Sequence, residues 1–103
     1  MSISFDIDGG GIAEVVMHNP PVNALGVKAW FELADAVLKL GHDERVRALV
    51  LRAEGRGFNA GVDIKEIQRE GHAALIGVNR GCYAAFAAVY DCAVPVIAAV
   101  HGY

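Results

Sequence analysis

The chain has 103 residues, 54% of them hydrophobic and 20% charged, with a formal net charge of −3. This balance excludes a disordered chain, and the absence of a basic stripe interleaved with aromatics gives nucleic-acid binding no footing. The length allows a single domain with modest burial.

Two cysteines, Cys82 and Cys92, form neither a CxxC pair nor a disulfide framework. They read as reduced thiols, which points to the cytoplasm. Met1-Ser2-Ile3-Ser4-Phe5-Asp6 lacks the basic start and apolar core of a signal peptide.

Ile3–Ile7 and Ile12–Met17 read as strands joined by Asp8-Gly9-Gly10-Gly11, whose glycines supply the positive φ angles of a hairpin turn. In the first strand Ile3, Phe5 and Ile7 alternate with Ser4 and Asp6, which predicts one solvated face; the second strand reads as more buried. His18-Asn19-Pro20-Pro21-Val22-Asn23 then forces an extended break. A helix follows over residues 27–40, with an apolar stripe of Val27, Trp30, Phe31, Ala34, Val37 and Leu38. Gly41 ends it as a C-cap glycine would.

Residues 46–53 form a nearly continuous apolar run, the pattern of a buried parallel strand. Strand, helix and strand in this order predict a right-handed βαβ unit. A short helix can begin at residues 63–69, with an acidic residue in its first turn. A longer one over residues 73–92 is apolar nearly all round and reads as a buried helix, with Gly77 and Gly81 open to close approach by another backbone. Its continuously apolar part, residues 82–90, falls short of the ~20 residues that span a bilayer. Pro95 separates it from a strand over residues 96–100. The sum is an α/β fold with a mixed, mainly parallel sheet and helices packed on it.

Side-chain nucleophiles are scarce. The only serines are Ser2 and Ser4, there is no threonine, and both cysteines lie in or at the end of an apolar helix, where thiols are inert. The four histidines show no metal-ligand spacing. Glu66 and Glu70, four apart, read as a solvated helix face rather than a catalytic carboxylate pair. Arg56 and Lys65 flank a glycine-containing connection and read equally as phosphate contacts or as ordinary surface cations.

That connection, Gly55-Arg56-Gly57-Phe58-Asn59-Ala60-Gly61-Val62-Asp63, lies between the carboxyl end of a strand and a helix start, where open α/β sheets bind ligands. Gly57 and Gly61 permit angles and approaches that a Cβ forbids. The amides of Gly61, Val62 and Asp63 are expected to point outward, unpaired, at the helix N-terminus, suited to an anion or a developing oxyanion.

Phe58-Asn59-Ala60-Gly61-Val62-Asp63-Ile64-Lys65 closely resembles the F-x-A-G-x-D-(I/L)-K segment of the crotonase, or enoyl-CoA hydratase/isomerase, family. Asn19-Pro20-Pro21-Val22-Asn23-Ala24-Leu25, Val46-Arg47-Ala48-Leu49-Val50-Leu51 and Val94-Pro95-Val96-Ile97-Ala98-Ala99-Val100-His101-Gly102 resemble three further motifs of that family in the same order, with Val94 where a lysine usually stands. The resemblance implies a ββα spiral that binds acyl-coenzyme A, here in part: the sequence reads as the N-terminal portion of such a domain.

It also implies that the thioester carbonyl sits between two peptide N–H groups, the first of them that of Val62. The second comes from a glycine-rich turn that follows His101-Gly102-Tyr103 and is not completed here. The CoA arm is implied to lie against Val22, Ala60, Gly61 and Ile64, with Asp63 and Lys65 at the rim; Asp63 reads equally as a helix N-cap.

The implied activity is enoyl-CoA hydration through a stabilised thioester enolate. Isomerisation, hydrolysis of a carbon–carbon bond, or an inert acyl-CoA-binding or assembly subunit stand as alternatives. The family's acid/base carboxylates fall after Tyr103, so the 103 residues alone are expected to be inactive. No cofactor beyond the substrate's own coenzyme A is implied, no metal and no membrane, and a homotrimer or dimer of trimers is expected.

Overall fold

The most apolar strands occupy the middle of the sheet. In the computed structural model, which describes residues 2–103, strand β1 (Ile3–Ile7) pairs antiparallel with β2 (Ile12–Met17). β2 pairs parallel with β3 (Ala48–Ala53), and β3 parallel with β4 (Val96–Ala98), in the order β1-β2-β3-β4. Val15 faces Leu51 and Ala13 faces Leu49 across the parallel pair. Val15, Ala13 and Leu49 are fully buried, each valine or leucine contributing about 1.5–3 kcal/mol. The mixed, mainly parallel sheet expected from the sequence is present.

The hairpin between β1 and β2 is built by Asp8 more than by its glycines. The Asp8 carboxylate accepts the N–H groups of Gly10 and Ile12 at 2.8 and 2.9 Å, and those donors hold its pKa below the ordinary value. Of the three glycines only Gly11 has a positive φ, 91°. On β1, Ile3 is buried and Ile7 partly so, but Phe5 is 55% exposed. The expected apolar face is therefore only partly covered on this edge strand.

Helix α1 (Val27–Gly41) connects β2 to β3, as the βαβ reading requires. It buries Trp30, Leu33, Ala34, Val37 and Leu40, whereas Phe31 is 43% and Leu38 54% exposed. The expected stripe thus had the right period and the wrong centre. Apolar residues cover a broad arc of this helix, and the position of the sheet decides which part is buried. Gly41 is not a C-cap: it is the last helical residue, and His42 follows as the cap. A Cβ on Gly41 would stand 2.8 Å from Cys92 Sγ, so the glycine serves a close contact.

β3 begins two residues later than expected, because Val46 N–H closes a turn on the Asp43 carbonyl and Arg47 N–H bonds to Gly11 O. β4 ends at Ala98 rather than at residue 100. Helix α2 (Ile64–Glu70) is short, and α3 (His72–Tyr90) ends two residues before Cys92.

α3 packs against α1 through its glycines. A Cβ on Gly77 would meet Val27 Cγ2 at 2.9 Å, and one on Gly81 would meet Trp30 Cβ at 2.7 Å. Only Ala74, Val78, Gly81 and Ala85 of α3 are buried, while Tyr83, Phe86 and Tyr90 are largely exposed. The reading of this helix as buried holds for one side, because one neighbouring helix covers one side of a cylinder. No helix of the described residues is long and apolar enough to cross a membrane.

Candidate functional site

Two segments far apart in sequence meet beyond the carboxyl ends of β2 and β3. The first is the turn from Asn19 to Leu25; the second is the glycine connection from Gly55 to Asp63. Asn23 joins them. It is 3% exposed and takes φ 59°, a left-handed backbone that asparagine tolerates better than most residues. Its Nδ2 donates to Glu54 O at 2.8 Å and Gly57 O at 2.9 Å, and its Oδ1 accepts Asn19 N–H at 2.7 Å. In return Asn59 Nδ2 donates to Asn23 O at 2.7 Å, while Asn59 Oδ1 accepts Gly61 N–H at 2.9 Å. Buried polar groups persist when they are paired in this way.

Leu25 completes the junction. Its N–H donates to Gly61 O and its carbonyl accepts Asp63 N–H, both at 2.9 Å, which makes Leu25 and Val62 an isolated parallel bridge. Bonding groups alternate in direction along an extended chain, so the N–H of Val62 itself turns away from Leu25. Among the described residues it donates to nothing.

The expectation of three free amides at a helix N-terminus is corrected: Gly61 N–H belongs to Asn59, Asp63 N–H to Leu25, and only Val62 N–H is free. Gly61 makes the arrangement possible with φ 92°, open to a residue without Cβ. Gly57 has an ordinary φ but a close neighbour, since a Cβ there would stand 2.6 Å from the Tyr103 ring.

A cleft of about 480 Å³ lies between the two segments. Val22, Ala60, Val62, Asp63, Ile64 and Lys65 line it, so all but one of the residues that the resemblance assigned to the CoA arm are brought together there; Gly61, also assigned, is not among the lining residues. Asn19, Pro20, Pro21 and Ala24 complete the wall and had no assigned role. Of the two flanking cations Lys65 lines the cleft and Arg56 does not.

Asp63 borders the cleft, and its reading as a helix N-cap holds, for its Oδ1 accepts Glu66 N–H at 3.3 Å at the start of α2. Val62 also lines a second hollow of about 460 Å³ along α3, with Ile67, Leu75, Ile76, Val78 and Cys82 among its walls. Val62 is thus the residue shared by a partly polar cleft and an apolar one.

Glu66 is not a solvated surface carboxylate. Its Oε1 accepts Val27 N–H at 3.0 Å and so caps α1, whose own N-cap residue, Gly26, has no side chain for the task. Cys82 is half-buried and its thiol pKa is raised by that burial, away from thiolate reactivity. No group of three or more His, Cys, Asp or Glu side chains able to hold a metal occurs among the described residues.

Asn23, Asn59 and Glu66 are the residues that sequence reading missed. The one local signal was Asn23 before Ala24 in a proline-rich turn, a site suited to a left-handed residue.

Comparison with known proteins identifies the family and the fold. A family model described as enoyl-CoA hydratase/isomerase matches residues 8–103. The chain is 60% identical over 104 aligned positions to a (7aS)-7a-methyl-1,5-dioxo-2,3,5,6,7,7a-hexahydro-1H-indene-carboxyl-CoA hydrolase of Rhodococcus jostii, covering all of this chain and 40% of that protein. It is 67% identical over 94 positions to the Mycobacterium tuberculosis protein of the same name, covering 90% of this chain and 38% of the other.

Among solved structures, an enoyl-CoA hydratase/carnithine racemase from Magnetospirillum magneticum superposes with a TM-score of 0.81 at 30% identity, over 98% of this chain and 41% of that one. The chain therefore spans about two fifths of the length of the curated relatives it matches. It belongs to the enoyl-CoA hydratase/isomerase family, the crotonases.

Proposed function

We propose that the whole protein is an acyl-CoA enzyme in which Val62 N–H donates to the thioester oxygen, and that its reaction is hydrolysis of a carbon–carbon bond in a bicyclic dioxo-indene-carboxyl-CoA, with the thioester left intact. The observation that carries the first part is that Val62, whose N–H has no partner among the described residues, lines both hollows. The CoA arm lies in the cleft along Val22, Ala60 and Ile64, with Asp63 and Lys65 at its rim. The acyl group lies against the apolar side of α3. The thioester carbonyl falls between them, at Val62.

A donor fixed in place before the reaction stabilises negative charge as it develops on that oxygen, and loss of one such donor costs ~10²–10³ in rate. A valine serves as well as any residue, since the group at work is backbone.

The choice of hydrolysis rests on the 60% and 67% identity to proteins of that name. Where a ketone stands β to the thioester, water adds to the ketone and the carbon–carbon bond to the α-carbon breaks. The electron pair of that bond passes into a thioester enolate, and the α-carbon is then protonated. Hydration of an enoyl thioester, the second reading, passes through the same enolate after water adds to the β-carbon. It is favoured by the family description and the hydratase likeness at 30% identity. A cytoplasmic homo-oligomer, with acyl-CoA as its only partner and no cofactor besides, belongs to the same reading.

The test incubates the whole protein with the bicyclic thioester and, separately, with an enoyl-CoA. Both reactions add the mass of one water, and ¹³C NMR separates them by a new carboxylate carbon or a new carbinol carbon. A carboxylate from the bicyclic substrate alone supports hydrolysis; a carbinol carbon alone supports hydration. Replacing the Val62 amide with an ester by semisynthesis removes the N–H and keeps the side chain. Turnover unchanged by that replacement would overturn the assigned role.

A further inference from the structure

We propose that Asn59 is the positioning residue of this site, the side chain that pairs Gly61 N–H so that it does not compete with Val62 N–H and that holds the peptide preceding Val62's own. The inference rests on the proposed function for what Val62 does, and on hydrogen-bond geometry for how Asn59 acts.

Both ends of the Asn59 carboxamide are used. Oδ1 accepts Gly61 N–H at 2.9 Å, which closes a turn over Ala60 and fixes the Ala60–Gly61 peptide, next to the Gly61–Val62 peptide whose carbonyl Leu25 N–H holds. Nδ2 donates to Asn23 O at 2.7 Å, on the segment that forms the opposite wall of the cleft. The backbone N–H of Asn59 is held in turn by Tyr103 O at 3.1 Å, so the residue is anchored on a third side. The network also fixes which end of the amide is oxygen, because Gly61 offers a donor and Asn23 an acceptor.

Few side chains can do both tasks. Serine reaches a backbone N–H two residues on but not the Asn23 carbonyl. Aspartate keeps the acceptor and sets a second one against Asn23 O. Alanine supplies neither. Without Oδ1, Gly61 N–H is a further free donor one residue from Val62, and only the Leu25 bond to its carbonyl then holds a glycine at φ 92°.

The experiment compares Asn59→Ala and Asn59→Ser with the unaltered protein by two readouts. Amide exchange at Gly61, followed by NMR without ligand, reads the geometry and needs no substrate. The second readout is kcat and KM on the CoA thioester. Asn59→Ala is expected to speed Gly61 exchange about tenfold or more and to lower kcat by ~10–10², with KM within about threefold. Asn59→Ser is expected to recover most of the Gly61 protection and most of kcat, which a purely structural tie to Asn23 would not do.

Unchanged Gly61 exchange in Asn59→Ala overturns the proposal. So does an equal loss of kcat in both variants when serine has restored the protection. A wild-type protein inert toward every CoA thioester overturns the function instead, and the exchange data then decide alone for or against Asn59.

Discussion

Asn23→Ala is expected to be one of the most damaging single substitutions in the chain, although it removes only a small polar side chain. It leaves Glu54 O, Gly57 O and Asn19 N–H without their partners. Three net hydrogen bonds are worth together about 3 kcal/mol, with the buried one to Gly57 the costliest to leave open. The backbone adds ~1 kcal/mol, because alanine must hold φ 59° in the left-handed region. A loss of about 4 kcal/mol is a large share of the ~5–15 kcal/mol typical of a domain.

Asn23→Gly loses the same bonds without the backbone penalty and should stand ~0.5–1 kcal/mol above alanine, after its own larger entropy loss. Guanidinium unfolding followed by the fluorescence of Trp30, the only tryptophan and 5% exposed, measures both. If both variants fall within ~0.5 kcal/mol of the parent, the level of an ordinary surface change, then Asn23 does not hold the two segments together.

Other substitutions probe the supporting structure. Gly81→Ala should cost ~1–3 kcal/mol in unfolding free energy despite a helix-propensity gain of ~1 kcal/mol, since the new Cβ would meet Trp30 Cβ at 2.7 Å; a stabilised variant would contradict the close crossing of α1 and α3. Glu66→Ala should lose ~1 kcal/mol as the cap of α1, with faster amide exchange at Val27, whereas Glu66→Gln keeps an acceptor and most of the protection. Asp43 has its pKa lowered to about 2, first by the side-chain hydrogen bond from Arg45 and then by Arg45 N–H. Because this folded-state value lies below the unfolded one of ~3.9, its contribution is fully present above the unfolded value and is lost as pH falls through about 2. The stability gap between wild type and Asp43→Asn should therefore close over that window, and added salt should shrink it at neutral pH.

What the sequence disclosed and what it hid follow the range of the interactions involved. Strands β1 and β2 have the boundaries that alternation and apolar runs predict, because those patterns are local. The cleft residues Val22, Ala60, Ile64 and Lys65 were legible through motif resemblance, and they do converge. The buried side of α1 was not legible: its helical period survives rotation about the axis, and only the sheet's position selects Leu33 and Leu40 over Phe31 and Leu38. Gly41 was misread for a related reason, since its constraint comes from Cys92, far along the chain. The asparagine contacts span 31, 34 and 36 positions, beyond any window in which a local pattern could reveal them.

The same distinction explains why three unpaired amides were expected where only the middle one is unpaired. A helix N-terminus offers several free N–H groups, and that picture would make Gly61, Val62 and Asp63 equivalent donors. The fold makes them unequal. A single residue of the partner segment, Leu25, bonds on either side of Val62, and the Asn59 side chain removes the remaining competitor. Val62 N–H is therefore left unpaired between two amides that are already bonded. Selectivity of this kind comes from satisfying the neighbours rather than from strengthening the donor. It leaves the side chain at position 62 unconstrained by the hydrogen bond and available to shape the passage between the cleft and the apolar wall of α3.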